Sequence, residues 1–156
     1  MFKNHNKRSI IFLICAFAAM ALIFYFSSHP AEQSKEMSKW VTSTIFTKIW
    51  PEVSKAELRA LNHNMRKFAH FFMFGVLGFL LCLSFSIVDN PKRPLLTSWG
   101  FGLFYAMTDE LHQYFVYSRG AQWRDVGLDF CGVAAGSIIA VLILKCHAYF
   151  KTVRLR

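Results

Sequence analysis

Residues 68–87, FAHFFMFGVLGFLLCLSFSI, decide the fold, because the run carries no Asp, Glu, Lys or Arg. At about 1.5 Å of helical rise per residue it is long enough to cross the ~30 Å hydrocarbon core of a bilayer. Three further apolar segments flank it, at 9–26, 95–115 and 126–144. Segment 9–26 follows Lys3, Lys7 and Arg8, as the core of a signal peptide would. It exceeds the ~7–15 apolar residues of such a peptide, and Phe24, Tyr25 and Phe26 stand where a small-residue cleavage site belongs. An uncleaved membrane helix is the better account. Ser27-Ser28-His29-Pro30 stops it, since proline disfavours helical geometry at the residue before it. The stretch 95–108 is short on its own and spans only if its helix continues through 109–113. Segment 126–144 is interrupted by Asp129 alone.

The expectation is therefore one all-α domain over residues 1–156, a polytopic membrane protein built as a four-helix transmembrane bundle. Composition agrees: 54% of the 156 residues are hydrophobic and 17 are Phe, more than a soluble domain ordinarily carries. The net charge of +9, from 18 Lys+Arg against 9 Asp+Glu, would suggest nucleic acid in a soluble chain. Here the basic residues are spread over loops and tails with no nucleic-acid module, so they mark cytoplasmic segments and anionic headgroups, and nucleic acid is not a partner. Cys15, Cys82, Cys131 and Cys146 share no close spacing and read as small hydrophobic filler.

Residues 31–66 are the longest polar stretch, and the loop 27–67 that contains them is placed outside the cytoplasm. Met37, Trp40, Val41, Thr44, Ile45, Lys48 and Ile49 recur at helical spacing, which predicts a short amphipathic helix lying on the membrane surface or capping the bundle, ended by Pro51. Ser54 and Glu57 fit a capping box. Leu58, Leu61, Met65 and Phe68 carry that helix's stripe toward the run at 68–87.

Four spans put both termini on one side, and the density of Lys and Arg in the tails and the turn 89–94 assigns that side to the cytoplasm, although the raw counts tie. The end of the first span, the start of the second, the end of the third and the start of the fourth then share the opposite face. Those positions hold nearly all the polar chemistry of the chain. Residues 105–129, YAMTDELHQYFVYSRGAQWRDVGLD, form its densest ionisable cluster. Helical spacing aligns Lys67, His70, Phe74 and Gly78 on one face, with Phe71 beside them. It aligns Ser98, Gly102, Tyr105, Asp109 and Gln113 on a second, and Asp125, Asp129, Gly132, Gly136 and Ala140 on a third. Gly132-x-x-x-Gly136 is a small-xxx-small pattern that lets helix backbones approach.

The candidate ligand-binding residues are Lys67, His70, Phe74, Asp109, Glu110, His112, Gln113, Arg119, Arg124, Asp125 and Asp129. Ionisable side chains within a membrane ordinarily mark a site, while part of such a cluster serves as an internal ion-pair network. Asp109 with His112 at i+3 and Gln113 at i+4 could orient a general base. His70, Asp109, Glu110, His112 and Asp129 also offer metal-ligand atoms. Without an H-E-x-x-H pattern the expectation is no metal and no cofactor.

Four pieces carry a family likeness: Phe26-Ser27-Ser28-His29-Pro30; Arg66-Lys67-x-x-His70-Phe71-x-x-Phe74; Asp109-Glu110-x-His112-Gln113; and Arg119-Gly120-x-x-x-Arg124-Asp125-x-x-x-Asp129-x-x-Gly132-x-x-x-Gly136. In order and spacing the chain resembles the VanZ-like family of small bacterial integral membrane proteins. The resemblance implies a bacterial cell-membrane location and a link to teicoplanin, a lipid-bearing glycopeptide antibiotic. It implies no particular enzymatic reaction. Three functions follow as expectations. The first is an outward pocket that binds or shields a lipid-linked envelope component or a lipoglycopeptide, with Phe71, Phe74, Tyr105, Tyr114 and Trp123 around Lys67, Arg119 and Arg124. The second is an enzyme acting on such a lipid through His70 or His112, with Asp109 orienting. The third is a structural or partner-binding membrane protein.

Overall fold

A computed structural model describes residues 2–50, 52–88 and 93–154. Pro51, read as a helix breaker, and residues 89–92 of the turn 89–94 lie outside the described residues. Five helices and no strand are present among the described residues: α1 (Phe2–Ser27), α2 (Ala31–Ile49), α3 (Lys55–Val88), α4 (Pro94–Tyr114) and α5 (Trp123–Arg154). Three of them, α1, α3 and α5, contain stretches long and apolar enough to cross a membrane: Lys7–Ser27, Lys55–Ser86 and Trp123–Arg154.

Local chemistry explains most helix ends. Pro30 closes the break after α1 and occupies the N-cap position of α2, where its missing N–H leaves nothing unsatisfied. Ahead of α3 the capping box forms in both directions: the Glu57 N–H donates to Ser54 Oγ at 3.2 Å, and the Ser54 N–H donates to Glu57 Oε2 at 2.9 Å. From there α3 runs without interruption into the apolar run. Pro94 sits in the first turn of α4, pre-set for helical φ. The helices outrun the apolar segments that announce them, because backbone hydrogen bonding continues where side chains turn polar. Thus α4 carries residues 109–113 within its last turns, which the segment at 95–108 requires in order to be long enough.

Helix α3 is the centre of the molecule and packs against α1, α2, α4 and α5, most extensively against α5. Glycine makes that last contact intimate. A Cβ on Gly136 would overlap the Gly75 carbonyl, one on Gly132 the Phe71 carbonyl, and one on Gly78 the Val133 carbonyl. Ser137 Oγ donates to the Gly78 carbonyl at 3.1 Å, a hydrogen bond that only such a close crossing permits. Phe74, Leu77, Ala106 and Val133 fill the adjoining core, with Ala16, Ala19 and Ile23 contributed by α1. Of the four cysteines, Cys82 is buried, while Cys15, Cys131 and Cys146 face outward from apolar helices.

Helix α2 lies over the first turns of α3. Thr42 Oγ1 donates to Asn62 Oδ1 at 3.3 Å, and Asn62 Nδ2 donates to the Lys35 carbonyl at 3.1 Å.

Candidate functional site

The ends of α1 and α4, the middle of α3 and the start of α5 meet in one polar cluster. Asp109, 2% exposed, is its anchor. Its Oδ2 accepts from Ser27 Oγ at 2.9 Å and from Gln113 Nε2 at 2.8 Å. Gln113 Oε1 in turn accepts from Arg119 Nη1 at 3.0 Å, and the same Nη1 reaches the Ser27 carbonyl at 3.3 Å. This chain of bonds ties the loop after α4 back to the end of α1. Glu110 takes the opposite direction, accepting the Gln122 N–H at 2.6 Å and so fixing the turn into α5.

Above this cluster lies a cavity of about 210 Å³, bordered by His63, Arg66, Lys67, His70, Glu110, Gln113, Arg119, Asp125 and Asp129. Its charges are unevenly satisfied. Lys67 Nζ donates to Asp125 Oδ1 at 2.9 Å. The other ion pairs among the described residues, Lys35–Glu32 and Lys39–Glu36, lie within α2. Arg66 and Arg119 therefore face the cavity with no carboxylate in ion-pair range. Arg66 bonds His63 Nδ1 at 3.3 Å, and its Nε is buried without a partner. Burial, and after it the like charge of Arg66, hold the Arg119 guanidinium below its ordinary value. On the acidic side, Asp109 Oδ1, Glu110 Oε2 and Asp129 Oδ1 are buried without hydrogen-bond partners.

An apolar cleft of about 310 Å³ opens beside the cavity, between the end of α1, α2 and α3. Phe26, Met37, Val41 and Met65 line it, and Ser34, Arg66 and His70 border both spaces. The polar chamber and the greasy one thus share three wall residues.

Of the residues singled out from sequence, Lys67, His70, Glu110, Gln113, Arg119, Asp125 and Asp129 border the cavity, and Asp109 lies beneath it. Three sit elsewhere. Phe74 is fully buried in the core with its ring 5.8 Å from that of Tyr105, whose hydroxyl donates to the Met20 carbonyl. His112 stacks on Phe24 at 4.3 Å and hydrogen-bonds Ser28 Oγ at 3.1 Å. Arg124 is exposed and does not border the cavity. The aromatic surround expected from Phe71, Phe74, Tyr105, Tyr114 and Trp123 does not border the cavity either; the neighbouring apolar walls come from α2 and from Met65. His63 and Arg66 were not among the candidates, yet His63 stands four residues before Lys67 and seven before His70, on the same helical face.

An all-helical membrane protein with its ionisable residues drawn to one end of the packed helices is the class that these features define. The family model described as VanZ/LLP1 matches residues 12–144, and the chain belongs to that family. No curated protein and no solved structure matches it.

Proposed function

We propose that the protein binds an amphiphile with an anionic head group, the head in the polar cavity and the chain in the apolar cleft. The carrying observation is Arg66: it borders both spaces, has no carboxylate partner, and leaves a buried N–H unused. A guanidinium so placed is satisfied by a planar or tetrahedral anion, and Arg119 supplies a second on the same cavity's lining. In this reading α1, α3, α4 and α5 all cross the bacterial cell membrane, both termini are cytoplasmic, and the cavity opens outward. Support for α4 as a span comes from its 21-residue length and from Leu96, Phe101, Phe104, Met107 and Leu111, all exposed. The natural ligand is then a lipid-linked envelope precursor or a lipoglycopeptide such as teicoplanin, which the protein binds or shields.

The test is equilibrium binding by the purified full chain in lipid nanodiscs, comparing a polyprenyl phosphate with the same polyprenol lacking phosphate. The phosphate is expected to bind at least tenfold more tightly, and Arg66→Gln to remove most of that difference, as loss of a charge-assisted bond does. Equal binding of the two lipids would contradict the proposal. In a sensitive host, expression is expected to lower susceptibility to teicoplanin and not to a glycopeptide without a lipid.

A second reading, an enzyme acting on such a lipid, draws on His70, the imidazole that borders the cavity next to Asp109 and Asp129. Turnover of a radiolabelled envelope lipid by wild type and not by His70→Ala would support it; intact lipid with both would end it.

A further inference from the structure

We propose that His70, Asp109 and Asp129 form a binding site for a divalent transition-metal cation at the floor of the polar cavity. The three come from α3, α4 and α5, and one ligand atom from each lies within 4.8 Å of the others. Atoms sharing one ion at about 2.0–2.2 Å lie roughly 3–4 Å apart, so closing onto a metal asks for a contraction of at most about 1–2 Å.

What singles out this cluster is the state of its oxygens. Asp109 and Asp129 are each 2% exposed, and each keeps one carboxylate oxygen, Oδ1, without any hydrogen-bond partner. Buried carboxylates are normally paired, bonded or metal-bound. No Lys or Arg nitrogen among the described residues lies in ion-pair range of either, since Lys67 is engaged by Asp125 and Arg119 donates to neutral oxygens. A cation from solution held between the two carboxylates would neutralise both.

The surrounding bonds suit that role. Asp109 Oδ2 is held by Ser27 and Gln113, and Gln113 by Arg119, so the carboxylate is oriented with its other oxygen free. Such outer bonds fix ligating groups in metal sites. One imidazole and two carboxylates favour Zn²⁺, Mn²⁺ or Fe²⁺ over Mg²⁺ and Ca²⁺, which prefer all-oxygen ligands. Three protein ligands also leave a coordination position open. The inference does not rest on the amphiphile proposal, because it is tested with metal alone and the two can fail separately.

The experiment is calorimetric titration of the purified, chelator-stripped full chain in detergent with Zn²⁺ and Mn²⁺, with elemental analysis after desalting. One ion per chain is expected, undisplaced by excess Mg²⁺ or Ca²⁺. Asp129→Asn and His70→Gln are each expected to weaken binding at least tenfold, and His147→Gln, on the exposed end of α5, to leave it unchanged. X-ray absorption of the Zn²⁺-loaded wild type supplies a readout that no variant's folding can disturb, and should show oxygen and imidazole nitrogen without sulfur. Failure of the wild type to retain a stoichiometric ion would overturn the site, as would wild-type affinity in both variants or a sulfur-containing shell.

Discussion

Ser27 and Asp109 are joined side chain to side chain at 2.9 Å across 82 positions of sequence, and both are buried. That bond fastens the end of α1 to the last turns of α4 where the polar cluster begins. Removing the hydroxyl leaves Asp109 Oδ2 with Gln113 as its remaining donor. Ser27→Ala is therefore expected to destabilise the fold by about 1–3 kcal/mol, the usual penalty for stripping a partner from a buried charged group. Thermal unfolding in detergent, followed by circular dichroism, measures it; an unchanged midpoint would show that the bond carries no stability.

The close approach of α3 and α5 makes opposite predictions for glycines of one helix. Gly136→Ala drives a methyl into the Gly75 carbonyl, which is backbone and cannot swing away, so a loss of about 1–3 kcal/mol is expected. Gly127→Ala meets nothing within 4 Å and gains helix propensity worth up to about 1 kcal/mol. Equal shifts in the two variants would mean that the helices do not touch where the structure puts them.

The Lys67–Asp125 bond joins α3 to α5 at 2.9 Å, with side chains 37% and 32% exposed. Solvent at that exposure screens the attraction, so its coupling energy should be modest, about 0.2–1 kcal/mol. A double-mutant cycle with Lys67→Met and Asp125→Asn reads that coupling, and a value above ~2 kcal/mol would place the pair in a drier setting than the cavity rim.

Much of this arrangement was legible in the chain, for reasons that also mark where legibility ended. Apolar runs and the capping box at Ser54 announced the helices, and the i, i+4 stripes through His70, Asp109 and Asp129 announced that the three would face one another. Phe74 lies one turn beyond His70, and there the same face already meets Tyr105 and the core. His112 follows Asp109 by three residues, yet its ring is claimed by Phe24 on another helix. Arg124 and Asp125 are adjacent in sequence and diverge by about 100° around the helix, so only Asp125 borders the cavity. Arg66 owes its position beside the cleft to α2 folding back over α3, a tertiary contact that no local pattern encodes.

The most direct measurement places a photo-crosslinking amino acid at Met65 in the apolar cleft and, separately, at Thr97 of α4, which does not line the cleft. Each protein is irradiated in nanodiscs with a radiolabelled polyprenyl phosphate. The expected result is a crosslink at position 65 that excess unlabelled polyprenyl phosphate competes away, that polyprenol does not, and that weakens when Arg66 and Arg119 are both changed to Gln. Equal, uncompeted labelling at 65 and 97 would contradict the account, because it would mean that the chain meets the lipid only as any membrane protein meets its solvent.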